Sequence, residues 1–170
     1  RRSNDFISVG KEVKAVRNGV GITEISNFAK YKISGVDAET WLSGLMTNNM
    51  PKVGRIILTP MLNEFGKVIG DFTIGRIDNN TFHVWGSQNA QKHHMRWFKM
   101  QLNAELSVNI NCIDQGLSGL SIAGPKSRDV LQPLVDEDIS NESFKFMDIR
   151  KMDVSGAQCI VNRITFTGDL

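Results

Sequence analysis

The sequence predicts an α+β fold built on mainly antiparallel sheets, with a strand–helix unit that recurs. Three observations carry that prediction. Segments of strand character come in runs, helical segments are inserted between the runs, and one strand–glycine–helix pattern occurs twice.

The elements follow in order. Phe6, Val9, Val13 and Val16 fall at helical spacing, and the pattern halts at Asn18-Gly19, as an amphipathic helix with a glycine stop would. Ala29 to Ser34 is strand-like, and Gly35 turns the chain. Asp37 is placed to cap a helix whose Ala38, Trp41, Leu42, Leu45 and Met46 form one apolar stripe. Pro51 and Gly54 mark a loop before a strand through Arg55 to Leu62. A second strand runs through Asp71 to about Ile77. Asp78-Asn79-Asn80 signals a turn, and Thr81 to Trp85 returns as a third strand. Ser87 is placed to cap a helix to about Leu102, and Val108 to Ile113 reads as another strand. A short helix is expected near Ser140 to Phe146, then strands at Arg150 to Val154 and Cys159 to Phe166.

The recurring unit is Ile33-Ser34-Gly35-Val36-Asp37-Ala38 followed by Trp41, Leu42 and Leu45. Its counterpart is Ile122-Ala123-Gly124-Pro125-Lys126-Ser127 followed by Val130, Leu131 and Leu134. Either the fold is pseudo-duplicated, or two ordinary strand-to-helix corners share a pattern. Pro125 falls at the first helical turn, where a missing N–H does no harm.

Bulk properties bound the function. The chain has 170 residues, 41% hydrophobic and 22% charged, the mix of a globular protein with one sizeable core or two small ones. The net charge of +2 is spread along the length, so no basic block points to nucleic acid or a membrane surface. Cys112 and Cys159 lie far apart, with neither metal spacing nor a disulfide framework, and a reducing compartment is the default. No apolar run reaches membrane-spanning length and no signal peptide is recognisable. The chain opens Arg1-Arg2-Ser3 and stops at Thr167-Gly168-Asp169-Leu170, so both ends read as cut, and residues 1–170 as part of a longer domain.

Candidate chemistry is sparse. The glycines at 116, 119 and 124 lack dinucleotide-binding spacing, and there is no phosphate loop or nucleophile elbow. No metal site is expected: His93 and His94 are adjacent and diverge on a helix, and His94 shares a face with Ala90, Trp97 and Phe98, as a packed core histidine would. What remains is Asp71, a carboxylate in the middle of a strand otherwise built of Val68, Ile69, Phe72 and Ile74. Strand interiors disfavour Asp, and a buried carboxylate must find partners. Asp71 is therefore either a functional group in a covered cleft or a side chain facing water from an edge strand. Asn63, before the turn, lines the same cleft or stabilises the turn. Met61 packs a ligand or fills core, and Gly70, beside Asp71, is placed in the cofactor-binding set, as a glycine that leaves room either for the cleft or for sheet packing.

The run Gly54-Arg55-Ile56-Ile57-Leu58-Thr59-Pro60-Met61-Leu62-Asn63-Glu64-Phe65-Gly66-Lys67-Val68-Ile69-Gly70-Asp71-Phe72-Thr73-Ile74 resembles the tetrahydrofolate-binding domain of the aminomethyltransferase family. That family includes the T-protein of glycine cleavage and the C-terminal halves of dimethylglycine and sarcosine dehydrogenases. Val9 to Val13 with Gly21 to Tyr31 is similar to the opening segment of the dehydrogenase branch. Leu120 to Ser127 resembles the family's Gly-Pro block, and Arg163 to Asp169 the start of its Tyr-Thr-Gly-Glu segment.

The resemblance implies tetrahydrofolate-dependent one-carbon transfer, with Asp71 as the catalytic carboxylate facing the folate nitrogens. It implies a methylated glycine or other aminomethyl donor as substrate. The partner is then either a flavin (FAD) module in the same parent chain or, for a T-protein, a lipoyl carrier. A folate-binding accessory protein without catalysis is a further possibility on this fold. The implied location is cytoplasmic, or the mitochondrial matrix in a eukaryote. Leu58 and Phe166 stand where many T-proteins carry Tyr, so a pterin contact at either position would be apolar. That difference favours the dehydrogenase branch. The acidic residue that grips the pterin in the family falls beyond Leu170.

Overall fold

The computed structural model describes residues 3–113 and 116–165. Its elements are α1 (Phe6–Asn18), β1 (Gly21–Glu24), β2 (Ala29–Ser34), α2 (Ala38–Leu45), β3 (Ile56–Leu62), β4 (Val68–Asp78) and β5 (Thr81–Gly86). They continue with α3 (Gln91–Gln101), β6 (Asn109–Cys112), β7 (Leu120–Ala123), α4 (Ser127–Leu131), β8 (Ile149–Val154) and β9 (Ala157–Asn162). The central sheet has the order β3-β4-β5-β2-β6, flanked by a β1–β7 ribbon and a β8–β9 hairpin. Every strand pair among the described residues is antiparallel, as expected from the runs of strands.

One face of the central sheet is the core. Tyr31, Ile33, Met61, Phe72, Ile74, Phe82 and Val84 meet Trp41 and Leu42 of α2 and Phe98 of α3. The rings of Phe72 and Phe98 lie 5.8 Å apart, and Tyr31 meets Phe98 edge-on at 5.4 Å. His94 is buried here, as its helical face predicted, with its ring 4.7 Å from Phe72 and Nδ1 3.3 Å from the Tyr31 hydroxyl. Burial, with His93 beside it, holds His94 below the usual histidine range.

The two similar corners are built alike. Gly35 and Gly124 have positive φ (136° and 116°), and each offers its carbonyl to the amide three residues on, at 3.1 and 3.0 Å. Neither position tolerates a side chain. A Cβ on Gly35 would lie 1.9 Å from the Ser107 carbonyl oxygen, and one on Gly124 2.5 Å from those of Val16 and Gly19.

Three local expectations fail and one strand was not foreseen; Ser87 makes no side-chain cap, and a short 3-10 turn (Gln88–Ala90) lies between it and α3. Asp37 stands at the start of α2, but its carboxylate accepts the Ser107 N–H (2.8 Å) instead of a helix amide, so it ties two loops together. Residues 140–146 form turns, not a helix. The Ser143 and Phe144 carbonyls accept from the guanidinium groups of Arg150 and Arg163, while the Ser140 hydroxyl bonds Asp138 (2.9 Å). Finally, β1 is short and half polar, without a strand signature, and forms by pairing with the distant β7.

The β8–β9 hairpin closes the far side of the central sheet. A Cβ on Gly75 of β4 would meet Ile149 Cδ1 at 2.5 Å, so this glycine lets β8 approach. Asp148, at the root of the hairpin, pairs with Arg55 and Arg150 and accepts the Lys145 N–H at 2.7 Å. Burial raises its carboxyl, but the Lys145 N–H and the Arg55 guanidinium outweigh that and hold it below the usual range. A second small core of Val135, Ile139, Phe144 and Met152 lies under the hairpin.

Two expected outcomes follow from this packing. A Cβ on Gly70 would lie 2.7 Å from His94 Nε2 and from the Phe72 ring. Gly70→Ala should therefore lower the unfolding free energy by about 1–3 kcal/mol in a urea titration, and an unchanged midpoint would refute this packing. Asp148 contributes stability above the ordinary carboxylate range, and that contribution is lost as pH falls through its lowered folded value. Asp148→Asn should thus cost about 1–3 kcal/mol at neutral pH and flatten the acid limb below about pH 4. An acid limb identical to the parent's would contradict the assignment.

Candidate functional site

Strand alternation sorts the candidate residues onto two faces. In the β3–β4 ladder Leu58 pairs with Thr73, Pro60 with Asp71 and Met61 with Gly70. Phe72 and Gly70 point into the core under α3, so Asp71 and Thr73 point to the opposite face, with Leu58 and Pro60 beside them. Thr73 in turn pairs with Trp85 of β5. The structure therefore brings Asp71 and Leu58 together and adds Pro60, Thr73 and Trp85, which the sequence reading missed. Period-2 spacing from Asp71 was the signal that could have found Thr73.

Two candidates lie on the wrong side for that face. Met61 is fully buried, bridged to Met46 in the helix-covered core. Gly70 also faces the core, where the space above it is filled by His94 and Phe72. Its lack of a side chain serves sheet packing, the second of its two expected roles, and corrects its place among the cofactor-binding residues. Asn63 sits at the hairpin turn, where Oδ1 accepts the N–H groups of Phe65 (3.0 Å) and Lys67 (2.9 Å). Gly66 in that turn has φ 71°. Asn63 thus acts as the turn-stabilising side chain. Phe166 lies outside the described residues.

Asp71 itself is exposed, not half-buried in a dry cleft. The reason is local. The pairing of β4 with β5 begins at Thr73, so at Asp71 the strand has β3 as its neighbour, and the residue opposite is Pro60, which has no N–H to donate. β3–β4 projects past the sheet as a two-stranded ribbon, with a register shift at Met61/Leu62. The Asp71 carboxylate makes no hydrogen bond or ion pair among the described residues.

The surface around it is an open shelf. Leu58 is 49% exposed, Pro60 is exposed, and Trp85 is half-buried at the inner end. Beyond Trp85 lies His83, buried, its ring 5.9 Å from the Trp85 ring and its Nδ1 unpartnered among the described residues. Burial, reinforced by Lys32 and Lys151, pushes His83 down to about 4, so it is a neutral imidazole at ordinary pH. Lys30 closes the β2 side, with Nζ donating to the Ser26 (2.6 Å) and Phe28 (3.0 Å) carbonyls. The shelf thus offers an apolar floor, an aromatic ring, a hydroxyl and a carboxylate that is free among the described residues. Such a set suits a flat, nitrogen-rich heterocycle or an amine better than an anion.

Comparison with known proteins places this geometry in a lineage. The human mitochondrial dimethylglycine dehydrogenase is 34% identical over 171 residues, covering 100% of this chain and 20% of that protein. The aminomethyltransferase of Caldanaerobacter subterraneus subsp. tengcongensis is 34% identical over 169 residues, covering 96% of this chain and 44% of that protein. The chain thus spans less than half the length of either relative. The glycine cleavage system aminomethyltransferase T from Bartonella henselae superposes with a TM-score of 0.79 at 18% identity, over 94% of this chain and 42% of that one, which shows a shared fold. The family model described as the GCVT N-terminal domain matches residues 1–170, and the chain belongs to that family.

Proposed function

We propose that this chain is the folate-binding portion of a tetrahydrofolate-dependent one-carbon transfer domain, in a demethylating enzyme of the dimethylglycine or sarcosine dehydrogenase type. The observation that carries the reading is the carboxylate of Asp71, unpartnered among the described residues, on the apolar shelf of Leu58, Pro60 and Trp85, in a chain of this family. The residues present fit the cofactor: Leu58, Pro60 and the Trp85 ring would hold a flat pterin, and Thr73 and Asp71 would meet its polar edge. Tetrahydrofolate, when bound, supplies nitrogens able to accept a one-carbon unit.

Asp71 then has two tasks. It accepts a proton from a nitrogen brought against it, and it stabilises positive charge that develops nearby. In water that attraction is weak: two unit charges 4 Å apart gain about 1 kcal/mol, against about 4 kcal/mol near a partly covered surface. The ligand, together with whatever further chain covers the shelf, excludes water and so strengthens Asp71. Any flavin belongs to a separate module of such a parent, and no residue here is assigned to it.

A stand-alone aminomethyltransferase handing on to a lipoyl carrier is the second reading, supported by the equal identity to the bacterial aminomethyltransferase. The apolar Leu58, where many T-proteins carry Tyr, favours the first.

The test uses a polypeptide spanning the length of the relatives. Asp71→Asn should keep the fold and reduced-folate binding within a few-fold, but cut one-carbon transfer by at least about a hundredfold. Near-normal turnover would remove Asp71 from the mechanism. A methylated glycine as the productive donor supports the dehydrogenase reading, and an aminomethylated lipoyl carrier the other.

A further inference from the structure

The opposite layer of the fold carries a second feature unrelated to the Asp71 shelf. Helix α3 covers the core face of the sheet with His94 and Phe98, and its outer side borders a groove of about 580 Å³. Lys92, Met95, Arg96, Lys99 and Met100 line one wall, and the exposed thiol of Cys112 on β6 lies at the other. Lys92 and Arg96 stand one turn apart, and Lys99 is two turns from Lys92. No Asp or Glu occurs anywhere between Asp78 and Glu105, so nothing on this helix neutralises them. Among the described residues none of the three cations takes part in an ion pair or side-chain hydrogen bond. Met100 is 64% exposed.

We propose that this groove docks an acidic, amphipathic helical segment of a protein partner. Three features select that occupant. The cations span about 10 Å of helix axis at 1.5 Å per residue, too far for one small anion to bridge. Their spacing matches carboxylates placed one turn apart on a facing helix. Met95 between them and Met100 just past Lys99 supply an adaptable apolar floor for that helix's leucines. A nucleic-acid backbone would use the charges but not the methionines, and the whole chain carries a net charge of only +2. Because α3 and Asp71 lie on opposite faces of the sheet, the docked segment leaves the shelf free.

The probe is a short fluorescein-labelled helical peptide with Glu at turn-spaced positions and Leu between, compared with a peptide bearing Gln in place of Glu. Fluorescence anisotropy should show binding by the Glu peptide that weakens as salt rises. The combined change K92E/R96E/K99E should weaken it by about tenfold or more. K92Q/R96Q/K99Q, which adds no new charge, should weaken it in the same direction, and both variants should keep the parent's thermal midpoint. In a Cys159→Ser background the bound peptide should also slow maleimide labelling of Cys112. Equal affinity for the Gln peptide, undiminished binding by both triple variants, unchanged labelling of Cys112, or tighter binding of a DNA duplex than of the Glu peptide would each overturn the proposal.

Discussion

Phe72 occupies space that two glycines leave open. Its ring lies where a Cβ on Gly70 or Gly86 would be, at 2.7 and 2.8 Å, and His94 of α3 closes over it with ring centroids 4.7 Å apart. This close approach of helix to sheet fixes which face of β4 is interior, because strand residues alternate between faces along the unshifted ladder from Gly70 to Gly75. With Phe72 inward, Ile74 and Gly70 must follow, and Asp71 and Thr73 must point away. A register slip by one residue would bury Asp71 under α3 without a partner, a penalty the fold avoids. The position of the candidate catalytic group is thus a consequence of aromatic packing on the other side of the sheet.

The outer face is only half covered. Ile149 of the β8–β9 hairpin seats on Gly75, held by the Asp148 cluster, so the inner end around His83 and Trp85 is screened from water. Toward Pro60 and Asp71 the face is open. That gradient from dry to wet along one sheet suits a ligand with an apolar, aromatic end and a polar end. It also means the Asp71 carboxylate would attract a positive charge at full strength only once water had been displaced from it. The groove along α3 differs in kind, being cationic and lined by methionines, and the core separates the two.

Much of this fold was legible because its signals are local. The helical spacing of Phe6, Val9, Val13 and Val16, the Asp-Asn-Asn turn between β4 and β5, and the glycine corners at 35 and 124 each depend on a few neighbouring residues. What was not legible depends on distant groups. The strand β1 exists by virtue of β7, a partner nearly a hundred residues away in sequence. Residues 140–146 fail to coil because Arg150 and Arg163, from outside the segment, take the carbonyls a helix would use. In the site, Asp71 was found from its oddity in an apolar strand, and Leu58 from the family resemblance. Met61 and Gly70 were drawn in by closeness along the chain, although neighbours in a strand face opposite ways. Trp85 carried no sequence signal toward the site, because only the register of β4 on β5 brings it beside Thr73.

The central claim is that folate binds the sheet face shared by Asp71 and Trp85, and tryptophan emission reads it directly. Trp41 is buried under the helices and Trp97 lies on α3, on the far side of the sheet, whereas Trp85 floors the shelf. Titration with reduced folate under anaerobic conditions should quench emission saturably, and Trp85→Phe should abolish the saturable part. Quenching that persists in Trp85→Phe would put the ligand elsewhere. No saturable change at all, in a polypeptide extended to the length of the relatives, would contradict the account outright.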